Sequence, residues 1–194
     1  MQSALIYIIR TLFDLYVLTF MVRLLLQWAP VDKRNPLVQF IFRITNPLVI
    51  PLRRILPPAG RIDTATVVAL VGLQVIGTAI LLRIACIDQP AVWQVLARAG
   101  LTLVQLGLTV YTWAIIIHVV MSWISPGGYN PAVALIAAIV EPVLAPFRRL
   151  VPPIAGIDLS PLFALIALQA LSMLLPFDRI LAGVLCMPLR GSVF

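Results

Sequence analysis

The sequence predicts an all-α polytopic membrane protein: four transmembrane helices in two parallel repeats, each built as helix, amphipathic linker, helix. Composition, four apolar stretches and a long internal match predict it. Of the 194 residues, 62% are hydrophobic and 11% charged, whereas a soluble domain carries roughly 25% charged residues because its surface must be wetted. One membrane domain takes up the whole length, with none over for a soluble domain. The four stretches approach the roughly 20 residues that cross a hydrocarbon core of about 30 Å.

The first stretch covers 4–29 and is too long for a signal-peptide core, so it is expected to stay as a spanning helix. The second covers 64–87. The third covers 101–124, with an interfacial turn from Val92 before it. The fourth covers 159–175 and is expected to end or kink at Pro176, with 177–187 lying near the interface. Trp28 and Trp123 close the first and third stretches, where an indole suits the headgroup level.

The two halves match at a fixed offset of 95 residues. Tyr16 meets Tyr111, Trp28 meets Trp123, and Asn35-Pro36 meets Asn130-Pro131. Arg53-Arg54 meets Arg148-Arg149, Ile62-Asp63 meets Ile157-Asp158, and Gln74 meets Gln169, with no gap. The repeats are therefore 1–95, with linker 30–63, and 96–194, with linker 125–157. Each unit crosses twice, so both enter in one orientation, which implies a pseudo-two-fold along the membrane normal.

Charge sets the orientation. The net charge is +7, and the bases sit in short loops beside apolar runs, where the partner is anionic lipid rather than nucleic acid. Linker 30–63 holds Lys33, Arg34, Arg43, Arg53, Arg54 and Arg61, and linker 125–157 holds Arg148 and Arg149. Excess Lys and Arg mark the cytoplasmic side. A bacterial inner-membrane protein with both linkers cytoplasmic and both termini periplasmic is expected.

The linkers read NPLVQFIFRITNPLVIPLRRILPP and NPAVALIAAIVEPVLAPFRRLVPP. Asn35 and Asn130 suit the cap position and the following prolines suit the first turn. Pro47, Pro51, Pro142 and Pro146 are expected to break the run into short helical pieces in the headgroup region. Arg53, Arg54, Arg148 and Arg149 then reach lipid phosphate, at about 1 kcal/mol each, either as simple anchors or as a docking surface for lipid or partner. Asp63 and Asp158 precede apolar helices and are expected to cap them. A cation site is the alternative, and pairing of either Asp with Arg53 or Arg148 argues against it.

Several polar residues fall inside apolar runs. Gln74 and Gln169 lie eleven residues past those acids, which at about 1.5 Å per residue is roughly 16 Å into the bilayer, near its midplane. Each is expected to face another helix, and the pseudo-two-fold can bring the two amides together. Arg10 and Asp14 share one face of the first helix and can neutralise each other. Arg23 corresponds to His118, the sole histidine. Haem ligation by His118 would need a second ligand, and a hydrogen-bonded histidine is the simpler reading. No triad, metal cluster or phosphate loop is present, so neither an enzyme nor a cofactor is expected.

The two NP…PxRRxxPP…ID blocks, Asn35 to Asp63 and Asn130 to Asp158, resemble those of the YggT family of small bacterial membrane proteins, also called YlmG. The second copy departs slightly, with Glu141 in place of Asn46. The resemblance implies duplicated two-helix units in the inner membrane and a link to hyperosmotic or ionic stress tolerance. It supplies no catalytic residue. Two functions remain open: a membrane scaffold or assembly factor with other membrane proteins as partners, and an ion channel or transporter subunit for osmotic balance. The sequence leaves a homo-oligomer open.

Overall fold

The computed structural model describes residues 2–29, 31–58, 62–85, 91–124, 130–150 and 158–175. Every element among them is an α-helix: α1 (Gln2–Leu25), α2 (Pro36–Ile55), α3 (Thr64–Ala85), α4 (Val92–Ile124), α5 (Pro131–Leu150) and α6 (Ser160–Leu174). The expected interfacial segment 177–187, Cys86 and Cys186 lie outside the described residues.

The linkers differ from expectation. Each forms one helix of 20 residues, running straight through its two internal prolines. Spacing explains this. Pro47 and Pro51 stand four apart on one exposed face, as do Pro142 and Pro146, so the missing N–H groups fall on the outer side, where freed carbonyls can be solvated. The opposite face is held by burial: Val38, Thr45 and Val49 in α2, and Leu135, Ile139, Val140 and Leu144 in α5. An internal proline costs about 3 kcal/mol, and each apolar side chain buried on the opposite face contributes roughly 1.5–3 kcal/mol against that cost.

The helix boundaries also shift. α4 starts at Val92 rather than as a separate turn before 101. The Gln94 side chain accepts the Ala91 N–H at 3.0 Å, and Val95 packs on Val75 and Ala79 of α3, so the early turns gain both a cap and a partner. α3, α4 and α5 are long and apolar enough to cross a membrane, whereas α6, with 15 residues, is a shorter apolar helix. By length and composition, then, α5 of the second linker qualifies, while α1, expected as a span, does not stand among the three.

Two cores hold the helices. One joins α1, α2 and α3 through Val17, Phe20, Met21, Val49, Ala65, Ala69 and Leu70. The other joins α4, α5 and α6 through Ala114, Ile115, Leu135, Val140, Leu144 and Ala164, with Leu26 and Val38 added from the first half. Within each half the three helices pack on one another in the same pairs, and α3 with α4, α2 with α5 and α1 with α4 link the halves. Across that link the Asn35 side-chain amide donates to the Pro131 carbonyl at 2.7 Å.

Candidate functional site: two charged elbows and a polar cavity

Where α1, α2 and α3 meet, a polar network is buried. Arg23 on α1 is 1% exposed. Its Nη1 donates to Thr45 Oγ1 at 2.5 Å and Asn46 Oδ1 at 2.9 Å, and its guanidinium lies 4.6 Å from the centre of the Phe42 ring. Its Nη2 stands 3.8 Å from Asp63 Oδ2. Arg53 reaches back from α2, with Nε donating to both Asp63 oxygens at 3.2 and 3.1 Å and Nη2 adding a further bond. Thr66 Oγ1 donates to Asp63 at 2.6 Å, and the Asp63 N–H donates to Gln27 Oε1 at 2.9 Å.

One carboxylate thus faces two guanidiniums. Burial pulls the Asp63 carboxyl upward, but the bonds from Arg53 and Thr66 and the charges of Arg53 and Arg23 outweigh it and hold the group below its ordinary value. Arg53 moves up, chiefly through its bond to Asp63. Asp63 occupies the residue before α3, and its carbonyl accepts the N–H groups of Thr66 and Val67. Its carboxylate goes to Arg53 and the Thr66 hydroxyl instead of a backbone N–H, which corrects the expected cap.

The second elbow repeats the geometry with different charges. Arg148 Nε donates to Asp158 Oδ2 at 3.0 Å, and Arg148 Nη1 donates to Glu141 Oε2 at 2.8 Å. Asp158 also accepts the Ser160 N–H at 2.9 Å. Burial raises the Asp158 carboxyl, and its bonds to Ser160 and Arg148 more than reverse that, leaving it lowered. His118 is half-buried here, and its Nδ1 has no protein partner among the described residues. The Asp–Arg pairs at both elbows argue against a cation site at either acid.

Asn35 Oδ1 accepts the Leu37 N–H and Asn130 Oδ1 accepts the Ala132 N–H, each at 2.9 Å. The paired arginines divide their roles. Arg53 and Arg148 bind the carboxylates of the fold, whereas Arg54 and Arg149 are exposed and make no ion pair among the described residues. A cavity of about 630 Å³ lies beside the first elbow, lined by Gln27, Lys33, Phe42, Arg53 and Asp63 among others.

A second cavity, of about 310 Å³, lies between α1, α3 and α4 and gathers Arg10, Asp14, Gln74 and Thr78 with Arg98, Gln105 and Thr109. Arg10 and Asp14 stand 3.7 Å apart and are both exposed. Gln74 Nε2 reaches Thr78 Oγ1 at 3.5 Å. Gln169 is exposed on α6, which packs on α4 and α5. The two glutamines are therefore not brought together.

Sequence reading missed Gln27, Phe42, Thr45, Asn46 and Thr66. One signal for them was present. The repeat departs from itself at 23/118 and again at 46/141, and both departures fall in this one site. A buried guanidinium also requires acceptors nearby.

Helices clothed in exposed Leu, Ile, Phe and Trp on α1, α3, α4 and α6 define a helical membrane protein, because such surfaces are covered by lipid rather than water. The chain belongs to the CCB3/YggT family, whose model matches residues 2–84 and again 97–178. It is 40% identical to an uncharacterised protein of Pseudomonas aeruginosa, over 100% of this chain and 98% of that one. It is 32% identical to the uncharacterised protein YggT of Escherichia coli K12, over 89% of each chain. A protein of Vibrio alginolyticus is 37% identical over 87% of this chain and 91% of its own. No solved structure matches the chain.

Proposed function

We propose that this chain is a non-enzymatic inner-membrane scaffold or assembly factor, with both elbows on the cytoplasmic leaflet. In this reading α1, α3, α4 and α6 span, while α2 and α5 lie in the headgroup layer. The repeat supports that division. α2 and α5 hold equivalent places, and α2 carries Gln39, Arg43 and Asn46 in its middle, an expensive set to place in hydrocarbon. α6 is about 22 Å long, so its crossing needs a thinned bilayer or a helix prolonged past the described residues.

The observation that carries the reading is the Arg23–Asp63–Arg53 network, buried at Arg23 and Asp63. It joins three helices into one fixed shape and leaves Arg54 exposed, while Arg53 and Lys33 line the neighbouring cavity. A rigid basic elbow with no reactive group is suited to holding something: anionic lipid and another membrane protein. Photo-crosslinking from positions 54 and 149 in native membranes tests this. The same discrete membrane protein should be captured from both positions and lost on Arg54→Glu with Arg149→Glu. Capture of lipid alone from both would end the assembly-factor reading. The stress link is tested by growth of a deletion strain at high salt.

A channel or transporter subunit is the second reading, favoured by the polar cavity between α1, α3 and α4. The cavity floor counts for the scaffold. Lining residues Val17 and Leu106 border the packed core of Phe20, Met21 and Leu70, so the polar path stops short of the elbows. Ion flux in proteoliposomes that falls with Gln74→Leu would reverse this preference.

A further inference from the structure

We infer that the cavity between α1, α3 and α4 is a binding site for an oxyanion of phosphate type, entered from the side of the membrane opposite the elbows. Its polar groups come from three separate helices: Arg10 and Asp14 from α1, Gln74 and Thr78 from α3, Arg98, Thr102, Gln105 and Thr109 from α4. Polar side chains inside apolar helices are rare, and their convergence on one void marks a functional site by default.

The chemistry points to an anion. Two guanidiniums face one carboxylate. Asp14 is already engaged by Arg10 at 3.7 Å. Arg98 is half-buried, and no carboxylate among the described residues lies in salt-bridge range of it. Among the described residues the site therefore holds one positive charge in excess, with amide and hydroxyl donors around it. A guanidinium fork matches a phosphoryl oxygen pair. At about 310 Å³ the void exceeds a phosphate ion and leaves room for the alcohol of a phosphodiester.

The position follows from helix register. On α4 the lining runs from Arg98 to Thr109, and on α3 from Gln74 to Leu81, away from the elbow end where Asp63 begins that helix. Gln74 lies about 16 Å and Leu81 about 27 Å along α3 from Asp63. The cavity thus reaches from mid-helix toward the far end, and the core of Phe20, Met21 and Leu70 closes it below. A closed floor suits binding better than conduction. The same chemistry can come from the headgroup of an anionic phospholipid or from free phosphate.

The test uses the full chain purified in detergent and in nanodiscs. Inorganic phosphate titrated against thermal unfolding reads the soluble source. Native mass spectrometry with phosphatidylglycerol against phosphatidylcholine reads the lipid source. Saturable binding of either anion should weaken at least tenfold in Arg98→Gln, weaken less in Arg98→Lys, which keeps the charge but not the fork, and persist in Arg83→Gln, whose side chain is exposed on α3 outside the cavity. If Arg98→Gln does not purify as a folded species, Gln105→Leu with Thr109→Val should give the same weakening. Equal binding by all variants, or no preference for either anion over neutral lipid, overturns the proposal. The elbow residues take no part in the site, so this test and the crosslinking test fail independently.

Discussion

Arg23 is the largest fully buried side chain among the described residues. Taking a guanidinium out of water costs several kcal/mol. Part of the loss is offset by two side-chain acceptors of Nη1, an aromatic face and a carboxylate at 3.8 Å, while Nε and Nη2 have no hydrogen-bond partner among the described residues. Deleting one partner of such a set leaves a stranded charge. Asp63→Asn should therefore destabilise the protein by roughly 3–5 kcal/mol, read from unfolding in detergent. Arg53→Gln should cost about 1 kcal/mol, because Arg53 is 46% exposed and water replaces it. Equal costs would place the energetic centre of the elbow elsewhere.

The same carboxylate gives a pH signature. A group whose folded pKa is depressed adds stability that is complete above its unfolded value and drains away as the pH falls through the folded one. For Asp63 that means full stabilisation above the ordinary value of 3.8 and loss below it. The unfolding temperature should stay level from neutral pH down to about 5 and drop below about 4. Asp63→Asn should remove the part of that drop that Asp63 supplies. A drop of unchanged size in the variant would assign it to other carboxylates.

At the scale of elements, the prolines of α2 and α5 face outward and the apolar stripes face inward. Pro47→Ala restores an N–H and removes a ring clash without touching the core. It should raise stability by about 1–3 kcal/mol, whereas Val49→Ala, at a fully buried position, should cost about 1–3 kcal/mol. Destabilisation by Pro47→Ala would mean that the proline shapes the fit of α2. Proline count alone suggested broken linkers. The outcome depended on which face the prolines occupy, and that face is legible from their i, i+4 spacing once Thr45 and Val49 are seen to be buried.

Gly77 decides another element-level contact. A Cβ there would run into the Phe13 ring of α1, so glycine lets α1 approach α3. Gly77→Val should destabilise by roughly 1–3 kcal/mol through overpacking, and Phe13→Leu should recover part of that loss. No recovery in the double variant would show that the backbone itself limits the approach. Nothing in the local sequence marks this contact, because the meeting of residue 13 with residue 77 depends on how the helices cross.

At the scale of the molecule, the internal match was readable because rare residues recur in register, from Tyr16 and Tyr111 to Gln74 and Gln169. The arrangement around each elbow follows it, with α1, α2 and α3 packing among themselves as α4, α5 and α6 do. The departures were not readable. α3 packs on α4, while the corresponding pair, α6 with α1, is not among the packed helix pairs. Among the described residues the polar cavity lies between α1, α3 and α4, and Gln169 is exposed on α6.

The proposed parallel arrangement makes a prediction that no single elbow can make. If the two units enter in the same direction, as proposed, Arg54 and Arg149 lie on one face of the membrane, and the excess of Lys and Arg in 30–63 would make that face cytoplasmic. With Cys86 and Cys186 replaced by alanine, Arg54→Cys and Arg149→Cys should both react with a membrane-impermeant maleimide in inside-out vesicles. Neither should react in intact spheroplasts. Labelling of the two from opposite sides would require an odd number of crossings between them. α5 would then be a spanning helix, as its length and composition allow, and the repeat would be one of sequence without a repeat of topology.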